Sequence, residues 1–185
     1  MLYLIVSDSH GDRDILCKLV KNYTGKVDAM FHCGDSELKS DDELFDKMIV
    51  VGGNCDYDPE FLGQAVKQVG PDRMLLVHGH LLGVGFGLNR LDFKMQEEGC
   101  GIAFFGHTHQ LGASFNDERL MINPGSISFP RGKYASIGGT YALLETDEDY
   151  YRIQYYDRDM KPIKELKVVF ERGKEFGKAD RLERD

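Results

Sequence analysis

Leu2-Tyr3-Leu4-Ile5-Val6-Ser7-Asp8-Ser9-His10-Gly11 decides how the rest of the chain is read. Five apolar residues rich in branched and aromatic side chains make a short buried strand. The run stops abruptly in a carboxylate, an imidazole and a glycine. The same design returns four times. Ala29–Cys33 ends in Gly34-Asp35, Met48–Val51 leads to Gly53-Asn54-Cys55-Asp56, and Met74–Val77 ends in His78-Gly79-His80. Ile102–Phe105 ends in Gly106-His107-Thr108-His109. Helical periodicity lies between the runs: Ile15, Leu16, Leu19, Val20 and Tyr23 form one apolar stripe, and Leu88, Leu91 and Met95 form another that stops near Gly99. Ser40-Asp41-Asp42-Glu43 reads as a capping box opening a short helix. Strands alternating with helices define an α/β chain with a parallel core.

After residue 112 the pattern changes. Leu120–Ile122, Thr140–Glu145 and Tyr150–Tyr156 read as strands, the last two as a hairpin turning over Thr146–Asp149, with Lys164–Phe170 as a final strand. No repeat or linker separates the two parts, so residues 1–170 are expected to share one domain. Residues 171–185 then form a charged C-terminal tail. The expected architecture is two stacked sheets with helices on their outer faces.

The chain has 185 residues and a net charge of −8, so as a whole it repels nucleic-acid phosphates. No apolar stretch approaches the ~18 residues that cross a bilayer, and the N-terminus lacks a basic leader. Cys17, Cys33, Cys55 and Cys100 show no C-x-x-C spacing and read as free thiols of a cytoplasmic protein.

In open α/β sheets, ligands bind outside the carboxyl ends of the strands, where all five polar clusters fall. Carboxylate, imidazole and one amide are a donor mixture suited to divalent transition metals. Five of the six histidines lie in these clusters.

In the order D-x-H, G-D, G-N-x-D, H-G-H and G-H-x-H, the chain resembles the calcineurin-like metallophosphoesterase superfamily. Its length, Ser7-Asp8-Ser9-His10-Gly11, Gly53-Asn54-Cys55-Asp56 and Asn123-Pro124-Gly125-Ser126 are most similar to the YfcE-type phosphodiesterase branch. The resemblance covers roughly residues 1–130. It implies a four-layer α/β/β/α sandwich of two mixed sheets with helices outside. It also implies two divalent transition-metal ions, with Mn²⁺ expected first and Ni²⁺, Co²⁺, Zn²⁺ or Fe²⁺ as alternatives. Asp8, His10 and His109 would hold one ion, Asn54, His78 and His107 the other, and Asp35 would bridge them. The resemblance further implies that such ions, ~3.5–4 Å apart, would acidify a shared water, and that the resulting metal-bridging hydroxide would attack phosphorus in line with the leaving alkoxide. Two carboxylates beneath two divalent ions leave a local positive patch in an acidic protein.

Cys55 departs from the pattern, because many members of the superfamily carry histidine there. The general acid is therefore unassigned, and His80 is the candidate. His80 has a second reading as a cap for the backbone of the Gly83-Val84-Gly85-Phe86-Gly87 loop, which lacks the spacing of a phosphate cradle. Arg131 is either a phosphate contact or a surface arginine. Asp56 either orients a ligand loop or forms an Asx turn. His32 reads as a hydrogen-bonded strand residue, and Cys55 as a neutral thiol or a soft ligand. The expected substrate is a small organic phosphodiester, turned over with Asp35, Asn54 and His80 in catalytic roles. A non-catalytic protein-interaction scaffold of the same fold and a nuclease are the alternatives. A second copy of the chain as partner is left open.

Overall fold

The computed structural model describes residues 1–173. Residues 174–185, most of the expected tail, lie outside the described residues. In chain order the elements are β1 (Leu2–Val6), α1 (Arg13–Tyr23), β2 (Ala29–His32), β3 (Ile49–Val50), β4 (Gln64–Val69), β5 (Asp72–Val77) and α2 (Asn89–Glu98). They continue with β6 (Ile102–Phe104), β7 (Gly112–Asn116), β8 (Arg119–Asn123), β9 (Thr140–Thr146), β10 (Tyr150–Asp157) and β11 (Pro162–Glu171).

Two mixed sheets result, in the orders β11-β10-β9-β1-β2-β3 and β4-β5-β6-β8-β7. The period of two along each central strand explains why they stack. Tyr3 and Ile5 of β1 point to the same buried layer as Met74 and Leu76 of β5, Phe31, Phe104 and Ile122. Leu4 and Val6 face the opposite way, onto Ile15, Leu16 and Leu19 of α1. In the second sheet Leu75 and Val77 turn outward onto Leu91 and Met95 of α2. Each central strand is therefore covered on both faces, which is why its sequence is a continuous apolar run. The layers are α1, first sheet, second sheet and α2, as expected.

Both helices end where the local chemistry dictates. The Asp12 carboxylate accepts the Ile15 N–H at 3.2 Å and caps α1. Gly99, at φ 63°, closes α2 in the left-handed conformation.

Two local expectations are corrected. Ser40 does not cap a helix, because its hydroxyl donates to Asp58 at 2.8 Å. The cap is Asp42, which accepts the Leu44 N–H at 3.0 Å and opens a single 3-10 turn, Glu43–Asp46. The third strand shrinks to Ile49–Val50. The edge strands β4 and β7 had no counterpart in the sequence reading. No helix among the described residues is long and apolar enough to cross a membrane, and all four cysteines are free.

At the amino-terminal ends of β1 and β5, one buried carboxylate ties the two sheets together. Asp72 accepts the Tyr3 hydroxyl at 2.8 Å, the Thr146 hydroxyl at 2.5 Å and Arg172 Nη2 at 2.7 Å. The Arg172 guanidinium also lies 4.2 Å over the Tyr151 ring. Asp72→Ala removes all three bonds and leaves Arg172 facing a half-buried, unpaired position. We expect it to cost about 3 kcal/mol of unfolding free energy in urea titration. A loss below about 1 kcal/mol would show that the clamp contributes little beyond an exposed ion pair.

Candidate metal centre

The loops that follow β1, β2, β3, β5 and β6 meet at one edge of the sandwich. The first two are stitched by main-chain bonds that prolong the parallel pairing: Asp8 N–H to Gly34 O at 3.0 Å, His10 N–H to Asp35 O at 3.0 Å, and Gly11 N–H to Ser36 O at 2.9 Å. In the second sheet Gly106 N–H to His78 O at 3.0 Å links the loops after β6 and β5, and His78 Nδ1, 2.9 Å from Cys33 O, reaches across to the first sheet. Two glycines allow this crowding. A Cβ on Gly53 would lie 2.1 Å from Asp35 Oδ1, and one on Gly106 would lie 2.0 Å from Ser7 Oγ. Asp8, His10, Asp35, His107 and His109 all adopt positive φ, between 45° and 67°. Such strain in non-glycine residues gathers at functional sites.

Polar donors from these loops form two groups. The first is Asp8, His10, Asp35 and His109, whose ligand atoms lie within 4.8 Å of one another. His109 Nε2 is 3.2 Å from Asp8 Oδ1 and 3.3 Å from His10 Nε2. In the second group His78 Nε2 is 3.1 Å from Asn54 Oδ1 and 3.3 Å from Asp35 Oδ2. Asp35 belongs to both. His107 stands beside the second group, its ring centroid 5.2 Å from that of His78.

The far side of each ring fixes what faces inward. His109 Nδ1 lies 2.7 Å from Phe129 O, and His78 Nδ1 lies 2.9 Å from Cys33 O. A carbonyl only accepts, so each Nδ1 carries the hydrogen and each neutral Nε2 presents a lone pair. His10 repeats the arrangement with Glu37 Oε1 at 2.6 Å from its Nδ1. Several lone pairs and carboxylate oxygens thus converge with no proton between them in the neutral form. Among the described residues neither buried Asp8 oxygen has a hydrogen-bond partner, because the His109 Nε2 that lies 3.2 Å from Oδ1 presents a lone pair rather than a hydrogen. A bare buried carboxylate is costly unless a cation faces it, so the donor set fits divalent ions.

The electrostatics agree. Burial works to lower the His78 pKa, but Asp35 and Asp8 outweigh it and the net shift is upward. The neighbouring Asp8 carboxylate raises that of His109. Burial acts to raise Asp35, yet His78 and the Cys55 N–H hold it well below the usual carboxylate range. His80 and His107 are lowered by burial and by neighbouring His78.

Asp56 orients the loops. Its carboxylate accepts the N–H groups of Asp35, Glu37 and Gly53 at 2.7 Å each and the Ser36 hydroxyl at 3.0 Å. Burial and Asp35 push the Cys55 thiol up to about 11, which keeps it neutral and disfavours a thiolate ligand. His80 stands 5.3 Å from the His78 ring and 6.1 Å from the His107 ring, centroid to centroid. Among the described residues its buried Nδ1 has no hydrogen-bond partner, so that nitrogen does not cap the glycine-rich loop. Arg131 is exposed, and its backbone N–H donates to His109 O at 3.0 Å. Asn123 and Ser126 brace the loops: Asn123 Nδ2 donates to Gly106 O at 2.9 Å, and Ser126 Oγ donates to Asp8 O at 2.8 Å.

The sequence reading missed three partners, Glu37 and the Cys33 and Phe129 carbonyls. Glu37 follows Gly34-Asp35 by two residues, and that proximity was the one available signal. A backbone carbonyl leaves no trace in side-chain identity.

An edge of buried carboxylates and imidazoles above two stacked mixed sheets defines a metal-binding hydrolase of the α/β class. The profile of the calcineurin-like phosphoesterase superfamily domain matches residues 1–149, and the chain belongs to that family. It is 36% identical over 166 residues to the probable metallophosphoesterase YsnB of Bacillus subtilis, covering 90% of this chain and 96% of that one. It is 31% identical over 113 residues to the phosphodiesterase YfcE of Escherichia coli, covering 57% and 56% respectively. A crystal structure of a predicted phosphoesterase from Streptococcus pneumoniae superposes with TM-score 0.89 at 37% identity, covering 92% of this chain and 97% of that one. The branch resemblance read from the motifs stands, and the chain is a metallophosphoesterase.

His32, expected as a strand residue with hydrogen bonds, is one. Gly34 N–H donates to its Nδ1 at 3.2 Å, so Nε2–H donates to Ser9 Oγ at 2.9 Å. Burial lowers its pKa to about 4. The unfolded chain takes up this proton near 6.5 and the folded chain only near 4. Stability is therefore full above about 6.5 and is lost as pH falls toward 4. Between pH 7 and 5, ion-free wild type should lose up to about 2 kcal/mol more than His32→Asn in denaturant titrations. His78 and His109 shift the other way but are common to both proteins. Identical pH dependence in the pair would contradict the assignment.

Proposed function

We propose that this metallophosphoesterase hydrolyses small organic phosphodiesters with two divalent transition-metal ions. Asp8, His10 and His109 would hold one ion and Asn54, His78 and His107 the other, with Asp35 shared. The observation that carries the reading is the pair of lone-pair clusters meeting at Asp35. Imidazole and carboxylate together favour Mn²⁺ or a later transition ion over Mg²⁺, which prefers oxygen donors and keeps its waters.

Divalent ions there would supply Lewis acidity toward phosphoryl oxygens and an acidified water. The remaining work falls to the chain. Asp35 keeps the two donor groups in register, because its Oδ1 is held by the Cys55 N–H at 2.7 Å. Asn54 presents its amide oxygen beside His78. The lowered pKa of His80 makes it a neutral imidazole at neutral pH, able to contact substrate and to pass a proton, although as an acid it is protonated only in a minority of molecules. Arg131 is the candidate cation for a phosphate oxygen. A monoester dianion needs more positive charge than this rim offers, so diesters are favoured.

A scaffold reading predicts lost donor positions, and all seven are present in the sequence. A nuclease reading wants a basic groove that a net charge of −8 does not favour. We place the protein in the cytoplasm, on its free cysteines, and assign no membrane partner. A homo-oligomer remains compatible with this function.

Chelator-stripped protein should lose turnover and regain it with Mn²⁺, Co²⁺ or Ni²⁺ better than with Mg²⁺. Asp35→Asn should lower kcat by orders of magnitude, and His80→Ala by about 10²–10⁴-fold if it transfers a proton. Full turnover by protein shown metal-free by elemental analysis would end the two-ion reading.

The second expectation comes from Cys55, whose neutral thiol stands where many relatives place an imidazole. With proton delivery limited, kcat should depend steeply on leaving-group pKa, and aryl diesters should exceed alkyl ones. Cys55→His should flatten that slope. A flat slope in wild type, measured where chemistry limits the rate, or a preference for monoesters, would overturn this.

A further inference from the structure

We infer that Glu37 is the positioning residue that aims His10 at its ion. The inference rests on the two-ion reading above and assigns a residue the motifs do not contain.

Three observations converge on Glu37. Its Oε1 lies 2.6 Å from His10 Nδ1, a short charge-assisted contact. The imidazole it touches is mostly buried, with a side-chain exposure of 11%, while Glu37 itself is 42% exposed. An ordinary surface pair of this exposure would be mobile, but this carboxylate is anchored from behind. Glu37 sits at φ 53°, in the left-handed region, and its N–H is held by Asp56 Oδ1 at 2.7 Å. The same Asp56 fixes Asp35 through its N–H. One carboxylate therefore sets both the shared donor Asp35 and the residue that orients His10.

The need is specific to His10. His78 and His109 are oriented by the backbone carbonyls of Cys33 and Phe129. His10 lies on the solvent side, where its ring packs against exposed Phe129 at 5.2 Å and no carbonyl holds its Nδ1. Without a fixed acceptor the ring is free to carry its hydrogen on Nε2, which would block the lone pair 3.3 Å from His109 Nε2. Glu37 holds the hydrogen on Nδ1. Partners of this kind typically change metal affinity by about 10–100-fold.

A rival exists in the same atoms. His10, Glu37 and Cys55 also lie close enough to share a cation, their ligand atoms within 4.8 Å of one another. In that case Glu37 would be a ligand rather than an aligner.

The test compares wild type, Glu37→Gln, Glu37→Ala and Cys55→Ala. In ion-free protein, ¹⁵N-edited imidazole spectra should show His10 with its hydrogen on Nδ1 in wild type and a mixed tautomer in Glu37→Ala. Co²⁺ titration followed by calorimetry should show one of two ions weakened about 10–100-fold in Glu37→Ala, the same ion that His109→Ala removes. Glu37→Gln, whose amide oxygen still accepts the bond, should recover most of the affinity. Cys55→Ala should bind both ions as wild type does. An unchanged tautomer and unchanged affinities in Glu37→Ala overturn the inference. Equal weakening of both ions with a lowered Tm overturns it in favour of a general structural role, and loss of affinity in Cys55→Ala overturns it in favour of the rival. If wild type binds a single Co²⁺, the two-ion reading fails. The tautomer and the affinity of that ion still decide for or against Glu37.

Discussion

The Asp56 carboxylate takes four hydrogen bonds from two loops, and the geometry of the candidate centre depends on it. An ionised carboxylate accepts about four such bonds, and its charge strengthens each of them. The arrangement answers a specific weakness. β3 is two residues long and pairs with β2 only through Phe31 with Ile49 and His32 with Val50. So short a ladder cannot fix the loop that comes after it. Asp56 closes that loop on itself through Gly53, then ties it to the loop after β2 through Asp35, Ser36 and Glu37. Asn54 reaches His78 because the loop that carries it is held there.

That control is needed because the backbone at the centre is strained. Asp8, His10, Asp35, Glu37, His107 and His109 all occupy the left-handed region without being glycine. Each such residue costs on the order of 1 kcal/mol relative to ordinary backbone. Glycine would relieve the strain, but these positions need side chains. The relief comes from the neighbours instead: glycines stand beside them, at 53 and 106, where any Cβ would drive into Asp35 or Ser7. Main-chain bonds between the loops after β1 and β2 hold the strained residues in register.

The elements legible in the sequence were those whose burial leaves a one-dimensional mark. β1, β5 and β6 are covered on both faces, so they read as unbroken apolar runs ending in ligand-type residues. β4 and β7 escaped because they are edge strands. Gln64 and Lys67 interrupt the first, and the second, Gly112–Asn116, has no fully buried position. The donors were legible as residue types at strand ends, but their supports were not. Whether Asp56 turned its own loop or gripped another depended on contacts between residues 19 to 21 positions apart, which local spacing does not encode. Glu37 resembled any surface glutamate until the fold set it against His10. Ser40 looked like a cap because its neighbours had the right order, yet Asp58 drew its hydroxyl away.

The charge of the whole chain and the charge of the centre answer to different causes. A net −8 spread over the surface is screened within about 10 Å at ordinary ionic strength. The centre is governed by groups in direct contact, in surroundings where burial weakens screening. There His78 and His109 have raised pKa values because Asp35 and Asp8 press against the same ring nitrogens that a metal would use. Protons and metal ions therefore compete for one set of lone pairs, and ion binding must release protons. His80 and His107 have lowered values and stay neutral at neutral pH, while His32, neutral and locked between Gly34 and Ser9, only braces the strand end. Six histidines so close together would repel one another if all were charged. The fold avoids this by setting carboxylates against His10, His78 and His109, backbone and hydroxyl partners around His32, and burial around His80 and His107, and that division is what leaves an acidic protein with a centre suited to an anionic ester.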